Sequence, residues 1–267
     1  MSHPMMLSGL FQALRRRWVT YRIRRQLLNW NEVADHYFNG RPITLLQFRS
    51  GMILHSTVYD APVPTFLEVI NDGCYRRFNK RPLKGTILDI GANIGVVTLD
   101  WLRRYPDVEI HAYEPNPSTY ETFRLNIEVN GLSKRVRTYP EAVGSRCGTL
   151  SFWSNVPSVI ANSYSPPCPG AVQIEVPMID LETAMRRVEK QPISLVKIDA
   201  EGAEVEILEN TPTGVLRQAE QYVLEYPLPF HRDADKRCQD VLKRAGFRCR
   251  QTVLGADHGL IYAWRID

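Results

Sequence analysis

Residues 87–101, with the sequence ILDIGANIGVVTLDW, decide which fold this chain predicts. An apolar run ends near Asp89, passes through two glycines and resumes with helical spacing, which predicts a strand, a tight turn and a helix. Because glycine has no Cβ, Gly91 and Gly95 allow positive φ and a close approach of the backbone to a bound molecule. The turn therefore indicates a binding site at the end of a core strand.

The segment after the turn places an acid where a nucleoside site needs one. Residues 108–114, VEIHAYE, predict a second strand that ends at Glu114. A carboxylate there can accept hydrogen bonds from two ribose hydroxyls, and the series strand, turn, helix, strand and acid is typical of a doubly wound nucleoside site. A glycine-rich turn without a ligand is the alternative, and the position of Glu114 argues against it.

The spacing and charge of the turn favour one class of cofactor. The pattern is G-x-x-x-G rather than G-x-G-x-x-G, and no Gly-Lys-Ser or Gly-Lys-Thr follows it. The anion of Asp89 would repel a pyrophosphate, whereas it would attract the ammonium and sulfonium groups of S-adenosylmethionine. The sequence therefore predicts S-adenosylmethionine as the cofactor.

Strands alternate with helices after residue 85, which predicts an α/β fold with a doubly wound, mostly parallel sheet covered on both faces. We expect 149–154 and 172–179 to pair antiparallel, and the chain to end in an antiparallel edge hairpin. The predicted strands are residues 86–90, 108–114, 135–143, 149–154, 172–179, 193–199, 221–227, 247–253 and 259–265.

We divide the chain into residues 1–80, an N-terminal extension, and residues 81–267, the sheet domain with an inserted loop at 155–170. Long polar loops of this kind often form a wall of a binding site. The candidate hydrogen-bonding groups of the loop are Ser158, Asn162, Ser163 and Tyr164. Within the extension, the sequence predicts a basic amphipathic helix, short strands at 42–48 and 52–58, and a helix at 65–78.

Positive charge is concentrated at the N-terminus. The first 31 residues carry six arginines and no acid, whereas the whole chain has a net charge of +4, so the remaining residues sum to −2. The basic amphipathic helix predicted there can contact an anionic membrane surface, associate with a second copy of the chain or pack on the rest of the protein. Packing on the rest of the protein is the simplest interpretation. Apolar residues recur there at nearly helical spacing: Leu7, Leu10, Phe11, Leu14, Trp18, Tyr21 and Leu28.

The composition is that of an ordinary folded protein, with 44% hydrophobic and 23% charged residues among 267. We find no apolar run long enough to cross a bilayer and no signal-peptide pattern. The five cysteines are scattered and form no CxxC motif. These features predict a reduced, cytoplasmic chain without structural zinc.

Four stretches together resemble the FkbM family of class I S-adenosylmethionine-dependent methyltransferases. They are ILDIGANIGVVTLDW, AYEPNPSTYETFRLNIEVNGL, EAVG and ISLVKIDAEGAEVEILE, and the resemblance covers about residues 85–226. It implies a Rossmann-like, seven-stranded sheet with an antiparallel last strand. It also implies O-methylation, mostly of hydroxyls on sugars or secondary metabolites, and it does not identify the acceptor.

The resemblance also implies which residues contact the cofactor. For Glu141, a solvated acid at a strand end is an equally good interpretation. The implied contacts are Asp89, Gly91, Asn93 and Gly95 at the methionine end, Glu114 and Asn116 at the ribose, and Glu141 and Ala142 at the adenine.

A second cluster of charged residues follows the fourth and fifth core strands. Lys197, Asp199 and Glu201 lie at or just beyond the end of strand 193–199, and Glu225 lies near the end of the neighbouring strand. One of these carboxylates, which we assign as Asp199, can remove the proton of an acceptor hydroxyl, or Asp199 and Glu225 can together bind a divalent metal. Two carboxylates are few ligands for a divalent metal, so a general base is the favoured interpretation.

Three further residues near this cluster have ordinary interpretations. Glu204 opens a helix, where an acid caps backbone N–H groups. His231 and His258 lie in predicted loops, where a single histidine is usually solvated.

The sequence thus predicts an O-methyltransferase for a small-molecule or glycan acceptor, with Lys197, Asp199, Glu201 and Glu225 as the candidate catalytic group. A nucleic-acid methyltransferase is one alternative, but the body lacks a basic stripe and the fourth strand continues as D-A-E-G. A cofactor-binding partner protein without catalysis is the other alternative.

Overall fold

The computed structural model describes residues 3–57, 62–154, 172–189, 192–227, 233–254 and 258–266, with side chains from residue 13 onward. The candidate wall residues of loop 155–170 and His231 lie outside the described residues.

Strands and helices alternate along most of the described chain. The strands are β1 Leu45–Gln47, β2 Ile53–His55, β3 Gly85–Ile90, β4 Val108–Tyr113, β5 Val136–Tyr139, β6 Ala142–Gly144, β7 Gly148–Ser154, β8 Val172–Asp180, β9 Ile193–Ile198, β10 Gln221–Pro227, β11 Phe247–Val253 and β12 His258–Arg265. The α-helices are α1 His3–Gln26, α2 Trp30–Asn39, α3 Pro62–Phe66, α4 Val96–Arg104, α5 Pro117–Val129, α6 Leu181–Arg186, α7 Glu204–Glu209, α8 Thr213–Leu216 and α9 Ala234–Arg244.

The main sheet has seven strands in the order β11-β12-β10-β9-β3-β4-β5. The five strands from β10 to β5 run parallel, and β12 runs antiparallel to both β10 and β11. The predicted Rossmann-like α/β sheet with an antiparallel last strand is confirmed. The strand order reverses between β3 and β9, and ligands of such sheets bind at the carboxyl ends of the strands at this point.

The predicted strand at 135–143 is wrong in one respect, because the chain forms two short strands there. β5 extends the main sheet, whereas β6 pairs with β8 in a separate sheet of order β6-β8-β7. Pro140 lies between them and has no N–H to donate to a ladder, which favours a break at this residue. The antiparallel pairing of β7 with β8 is as expected from the sequence.

The predicted helix at 65–78 is also interrupted. α3 continues into a π-helical turn, Leu67–Asp72, and after Gly73 the chain forms a 3₁₀ turn, Cys74–Arg76. Gly73 has a φ of 65°, a left-handed conformation that ends a helix. This break turns the segment so that Tyr75 is buried.

The N-terminal extension packs into the same hydrophobic core as one face of the main sheet. Ile23 of α1 and Leu27, the residue just after α1, are fully buried in a cluster that also contains Ile87 of β3 and Val223 of β10. The division into residues 1–80 and 81–267 stays a prediction. The shared core nevertheless joins the extension to the strands that carry the candidate site.

Two asparagines of α5 form the hydrogen bonds with the β2 backbone that a neighbouring strand would otherwise form. The Asn126 amide accepts a hydrogen bond from the His55 N–H at 2.7 Å and donates to the His55 carbonyl at 2.9 Å. The Asn130 amide makes the same pair of bonds with Ile53, at 2.9 and 2.7 Å. Because residues four apart lie on one helix face, the two amides satisfy two alternate residues of β2.

Candidate active site

The glycine turn brings the ends of β3 and β9 into direct contact. Gly91 has a φ of 73°, and a Cβ at this position would overlap the carbonyl oxygen of Asp199. Gly95 has a φ of 92°, and a Cβ there would overlap the Phe123 ring. Asn93 between them also has a positive φ, 51°. The turn therefore has the close-packed backbone that its sequence indicates.

Glu114 is held by the backbone on both carboxylate oxygens. Its Oε2 accepts a hydrogen bond from the Asn93 N–H and its Oε1 accepts one from the Asn116 N–H, each at 2.9 Å. Burial raises the pKa of Glu114 to about 7, and these two hydrogen bonds oppose that rise. Each oxygen keeps a lone pair, so the fixed carboxylate fits the vicinal hydroxyls of a ribose.

Asn116 has two roles in this arrangement. Its side-chain oxygen accepts a hydrogen bond from the Ser118 N–H at 3.1 Å and thereby caps α5. Its amide nitrogen donates to the Ser154 hydroxyl at 3.1 Å. The side chain is thus engaged within the protein, and it is the backbone N–H of Asn116 that reaches Glu114.

Of the two residues expected near the adenine, Glu141 lies between β5 and β6, and Ala142 is the first residue of β6. Glu141 forms a bidentate ion pair with Arg187, at 2.5 and 3.3 Å, and Arg187 lies 4.8 Å from the centre of the Tyr139 ring. Ala142 is buried on β6. Arg187 follows α6 far along the chain, so no local sequence pattern indicates this pair.

Asp89 and Lys197 form a fully buried ion pair beneath the turn. They are partners in the register of β3 and β9, with 3.1 Å between Asp89 Oδ1 and Lys197 Nζ. The Thr98 hydroxyl donates to Asp89 Oδ2 at 2.6 Å, and Lys197 also donates to the carbonyls of Ile90 and Gly91. Burial would lower the pKa of Lys197, but the adjacent carboxylates outweigh it, so this pKa lies above its usual value.

These contacts correct two expectations from the sequence. Asp89 is 0% exposed and Lys197 is 1% exposed, because each neutralises the charge of the other inside the sheet. Asp89 does not present its carboxylate at the surface of the turn. Lys197 lies behind the site, where it positions the strand ends.

Asp199 and Glu225 are joined through a tyrosine from the N-terminal extension. The Tyr75 hydroxyl lies 2.9 Å from Asp199 Oδ2 and 3.1 Å from Glu225 Oε2. One hydroxyl proton serves one carboxylate at a time, so both contacts together need a second proton on Glu225. Burial and the negative charge of Asp199 raise the pKa of Glu225 to about 8, so Glu225 binds this proton at neutral pH.

Tyr75 is the site residue that the sequence analysis missed. It lies in the 3₁₀ turn of a segment without a recognisable motif, 124 residues before Asp199. Its ring lies 5.5 Å from Lys197 Nζ, so it also covers the buried ion pair.

The remaining acids around the cluster have different environments. Burial raises the pKa of Glu68, and His258 at the start of β12 opposes this rise. Glu201 is half-buried with a φ of 53°. Glu204 is buried and accepts hydrogen bonds from the Ala200 N–H at 2.8 Å and the Gly202 N–H at 3.0 Å. Both N–H groups precede α7, so Glu204 holds the loop before the helix rather than capping its first turn, which the sequence suggested.

The described residues contain no group of three or more histidine, cysteine, aspartate or glutamate side chains arranged to hold a metal ion. Asp199 and Glu225, the two candidate ligands, are instead bridged by the Tyr75 hydroxyl.

A protein-family model described as the Methyltransferase FkbM domain matches residues 89–249, which is more than half of the chain. The chain belongs to the FkbM methyltransferase family. The matched region begins at the buried Asp89 and includes the glycine turn, Glu114, Asp199 and Glu225. This FkbM-family chain therefore carries a methyltransferase domain.

Three comparisons place the FkbM-family chain among known proteins. It is 30% identical over 175 residues to Methyltransferase sdnD of Sordaria araneosa, across 54% of this chain and just under two thirds, 66%, of that protein. It is 33% identical over 72 residues to the 31-O-demethyl-FK506 methyltransferase FkbM of Streptomyces tacrolimicus, across 27% and 28% of the two chains. A solved structure, the delta-N METTL16 MTase domain, is 14% identical to this chain with a TM-score of 0.48, and the match covers 77% of this chain and 85% of that chain.

Proposed function

We propose that this methyltransferase transfers the methyl group of S-adenosylmethionine to a hydroxyl oxygen of a sugar, a glycoconjugate or a secondary metabolite. The main support is the Asp199–Tyr75–Glu225 cluster, which lies at the carboxyl ends of β9 and β10 beside the strand-order reversal. The name of the Streptomyces relative, a methyltransferase for an O-demethyl compound, supports oxygen as the acceptor atom.

The residues at the turn fit the proposed cofactor. Glu114 would accept the two ribose hydroxyls, because its carboxylate is already oriented by two backbone N–H groups. Gly91 and Gly95 let the turn pack directly against the Asp199 carbonyl and the Phe123 ring, which fixes the backbone beside Glu114. When bound, S-adenosylmethionine supplies an electrophilic methyl group on a sulfonium.

Glu225 is the better general base of the two carboxylates. Asp199 Oδ2 lies 3.5 Å from the Lys197 ammonium and 2.9 Å from the Tyr75 hydroxyl, so this oxygen is already engaged. Glu225 has a pKa of about 8, close to the pH at which a general base works best. Ionised Glu225 would take the proton of the acceptor hydroxyl, while Asp199 and Tyr75 would hold the acceptor side of the site in position.

The test is methyl transfer to a panel of hydroxyl-bearing acceptors, followed by mass spectrometry. The proposal expects a gain of one methyl group on oxygen, lost when Glu225 is replaced by Gln. The matched control is Glu206→Gln, an exposed acid on α7. Methylation of an RNA or DNA acceptor, with none on any hydroxylated small molecule, would contradict the proposal and favour the nucleic-acid alternative. Cofactor binding without any product would favour a non-catalytic role.

We further propose that the enzyme works in a reducing compartment such as the cytoplasm. Cys74, Cys147, Cys238 and Cys249 are all free thiols in the described part of the chain. Cys74 and Cys238 are buried, and burial raises the pKa of both thiols, which keeps them protonated and unreactive.

A further inference from the structure

Helix α1 has two opposite apolar faces, and only one of them packs on the protein. Val19, Ile23 and Leu27 are at most 2% exposed and face the core. Leu14, Trp18 and Tyr21, spaced by four and three residues, are 55%, 56% and 59% exposed on the other face. Large apolar side chains exposed in a row mark a surface that contacts a partner.

The same outer face carries unneutralised positive charge. Within the described residues, Arg22 pairs with Asp72, whereas no carboxylate forms an ion pair with any of five neighbouring arginines. Two guanidinium groups lie over the exposed rings. Arg22, which also pairs with Asp72, lies 4.2 Å from the centre of the Trp18 ring, and Arg25 lies 5.8 Å from the centre of the Tyr21 ring. The five arginines without an ion pair are Arg15, Arg16, Arg17, Arg24 and Arg25.

A shallow cavity of about 270 Å³ opens beside this row. It is lined by Tyr21, Arg24, Arg25 and Arg49, and the Arg49 guanidinium also donates a hydrogen bond to the Arg24 carbonyl. Three of the four lining residues are arginines, and a guanidinium group binds phosphate with paired hydrogen bonds. The arginine-lined cavity and the apolar row are therefore adjacent.

We propose that this outer face of α1 binds the surface of a membrane that contains anionic phospholipids. Leu14, Trp18 and Tyr21 enter the interface between headgroups and acyl chains, where aromatic side chains are preferred. The arginines contact the headgroup phosphates, with their stems along the apolar row. In the part of the chain that the structure describes, no helix is long and apolar enough to cross the bilayer, so the contact is peripheral.

Charge decides between a membrane and a second copy of the chain. Two copies that met through α1 would bring together two segments of six arginines each, with no acid among the first 31 residues of either. Such like-charge contact is unfavourable, whereas an anionic lipid surface attracts the same segment. The exposed Leu14 and Trp18 would gain no burial on a nucleic-acid backbone.

The experiment is co-sedimentation of the full chain with vesicles of phosphatidylcholine, with or without phosphatidylserine. We expect binding to the phosphatidylserine vesicles alone, weakened by salt. The double variant Arg24→Glu/Arg25→Glu should lose at least about tenfold in affinity, because each basic residue near the surface adds to the attraction. The matched control is Arg244→Glu/Arg248→Glu, two exposed arginines at α9 and β11.

A second pair of variants tests the apolar row. Leu14→Ala/Trp18→Ala should weaken vesicle binding at every salt concentration, because burial of apolar surface is little screened by salt. The control Leu125→Ala/Val253→Ala removes exposed apolar side chains elsewhere and should bind as the wild type does. Circular dichroism confirms that each variant is folded.

Three outcomes would overturn the proposal. The first is equal sedimentation with neutral and anionic vesicles, or with neither. The second is an equal loss of binding in the Arg244→Glu/Arg248→Glu control. The third is a wild-type dimer in sedimentation velocity that Trp18→Ala dissociates, in a protein that does not bind vesicles, which would assign the face to a second copy.

Discussion

At the scale of single residues, the proposed chemistry depends on the protons held among Asp199, Tyr75 and Glu225. Burial and the charge of Asp199 raise the pKa of Glu225 to about 8, so Glu225 is the group that exchanges a proton near neutral pH. In general, two nearby carboxylates in different environments have different pKa values and therefore take different roles.

Turnover should rise with pH as Glu225 ionises. A general base must be deprotonated, and the pKa of Glu225 is raised to about 8, so kcat increases through this pH and levels off above it. Glu225→Gln should lower kcat at least about tenfold and abolish this pH dependence. The measurement is kcat against pH for the wild type, Glu225→Gln and Glu206→Gln. A wild-type profile that is flat from pH 6 to 9, a range of about three units around that pKa, contradicts the assignment.

The Tyr75 hydroxyl should shift this profile without affecting cofactor binding. When Glu225 is ionised, it accepts the Tyr75 hydroxyl, and this hydrogen bond lowers the pKa of Glu225 against the larger effect of burial. Tyr75→Phe should therefore move the rise in kcat to higher pH. Tyr120→Phe removes a hydroxyl that bonds Thr138 and serves as the control. A profile in Tyr75→Phe that overlays the wild type would show that Tyr75 is merely structural.

Glu114 should govern cofactor affinity. Glu114→Gln keeps the shape of the side chain but loses one acceptor oxygen, so calorimetry should show S-adenosylmethionine binding weakened by about tenfold or more. Wild-type affinity should fall as pH drops through about 7, where the carboxylate becomes protonated. Glu128→Gln, an exposed acid on α5, is the control. Unchanged affinity in Glu114→Gln would remove the cofactor site from this turn.

The sequence predicted the residues that depend on local backbone and missed those that depend on distant contacts. Gly91 and Gly95 were correctly interpreted because a positive φ and close packing leave a local pattern. Asp89 was expected to contact the cofactor and Lys197 to belong to the catalytic group, and their mutual ion pair was missed, since spacing along a strand does not show that two strands neutralise each other's charges. Tyr75 was not found because its two partners lie 124 and 150 residues away.

At the scale of elements, the sequence predicted the main sheet well because alternation of strands and helices is a strong pattern. It joined β5 and β6 because both are short apolar runs, and it overlooked the break at Pro140. It predicted one helix where Gly73 divides two turns. Both errors occur where a single residue ends an element inside a continuous apolar pattern.

The link between α5 and β2 should contribute measurably to stability. Asn126 is fully buried, and Asn126→Ala would leave the His55 N–H and the carbonyls of His55 and Ile94 without this partner. We expect the free energy of unfolding in urea to fall by about 2 kcal/mol or more. Asn210→Ala, which removes an exposed amide bonded to the Glu206 carbonyl, should cost much less. Equal losses in the two variants would contradict a structural role for the α5 amides.

At the scale of the whole molecule, the buried acids should make the protein less stable as pH rises. The pKa values of Glu114, Glu204 and Glu225 are raised to about 7, 7 and 8, chiefly by burial, so the folded state holds more protons than the unfolded state above pH 4.5. Stability is therefore lost as pH rises through these values. Burial lowers the pKa of His111, which opposes this trend below the usual histidine value of 6.5.

Urea unfolding of the cofactor-free protein at several values between pH 5 and 8, about the range over which these acids ionise, measures this effect. Glu204→Gln should make the decline less steep, because it removes one of the three acids, and Glu206→Gln should leave it unchanged. A stability that increases over this range would show that the acids are ionised at little cost in the folded state.

The Tyr75 bridge also has a consequence for synthesis of the enzyme on the ribosome. Tyr75 is translated early, and the carboxylates that it joins are made more than a hundred residues later. A polypeptide that stops before Glu225 retains the glycine turn and Glu114 and lacks the base. The bridge between Tyr75 and the two carboxylates can therefore form only after most of the chain has been translated.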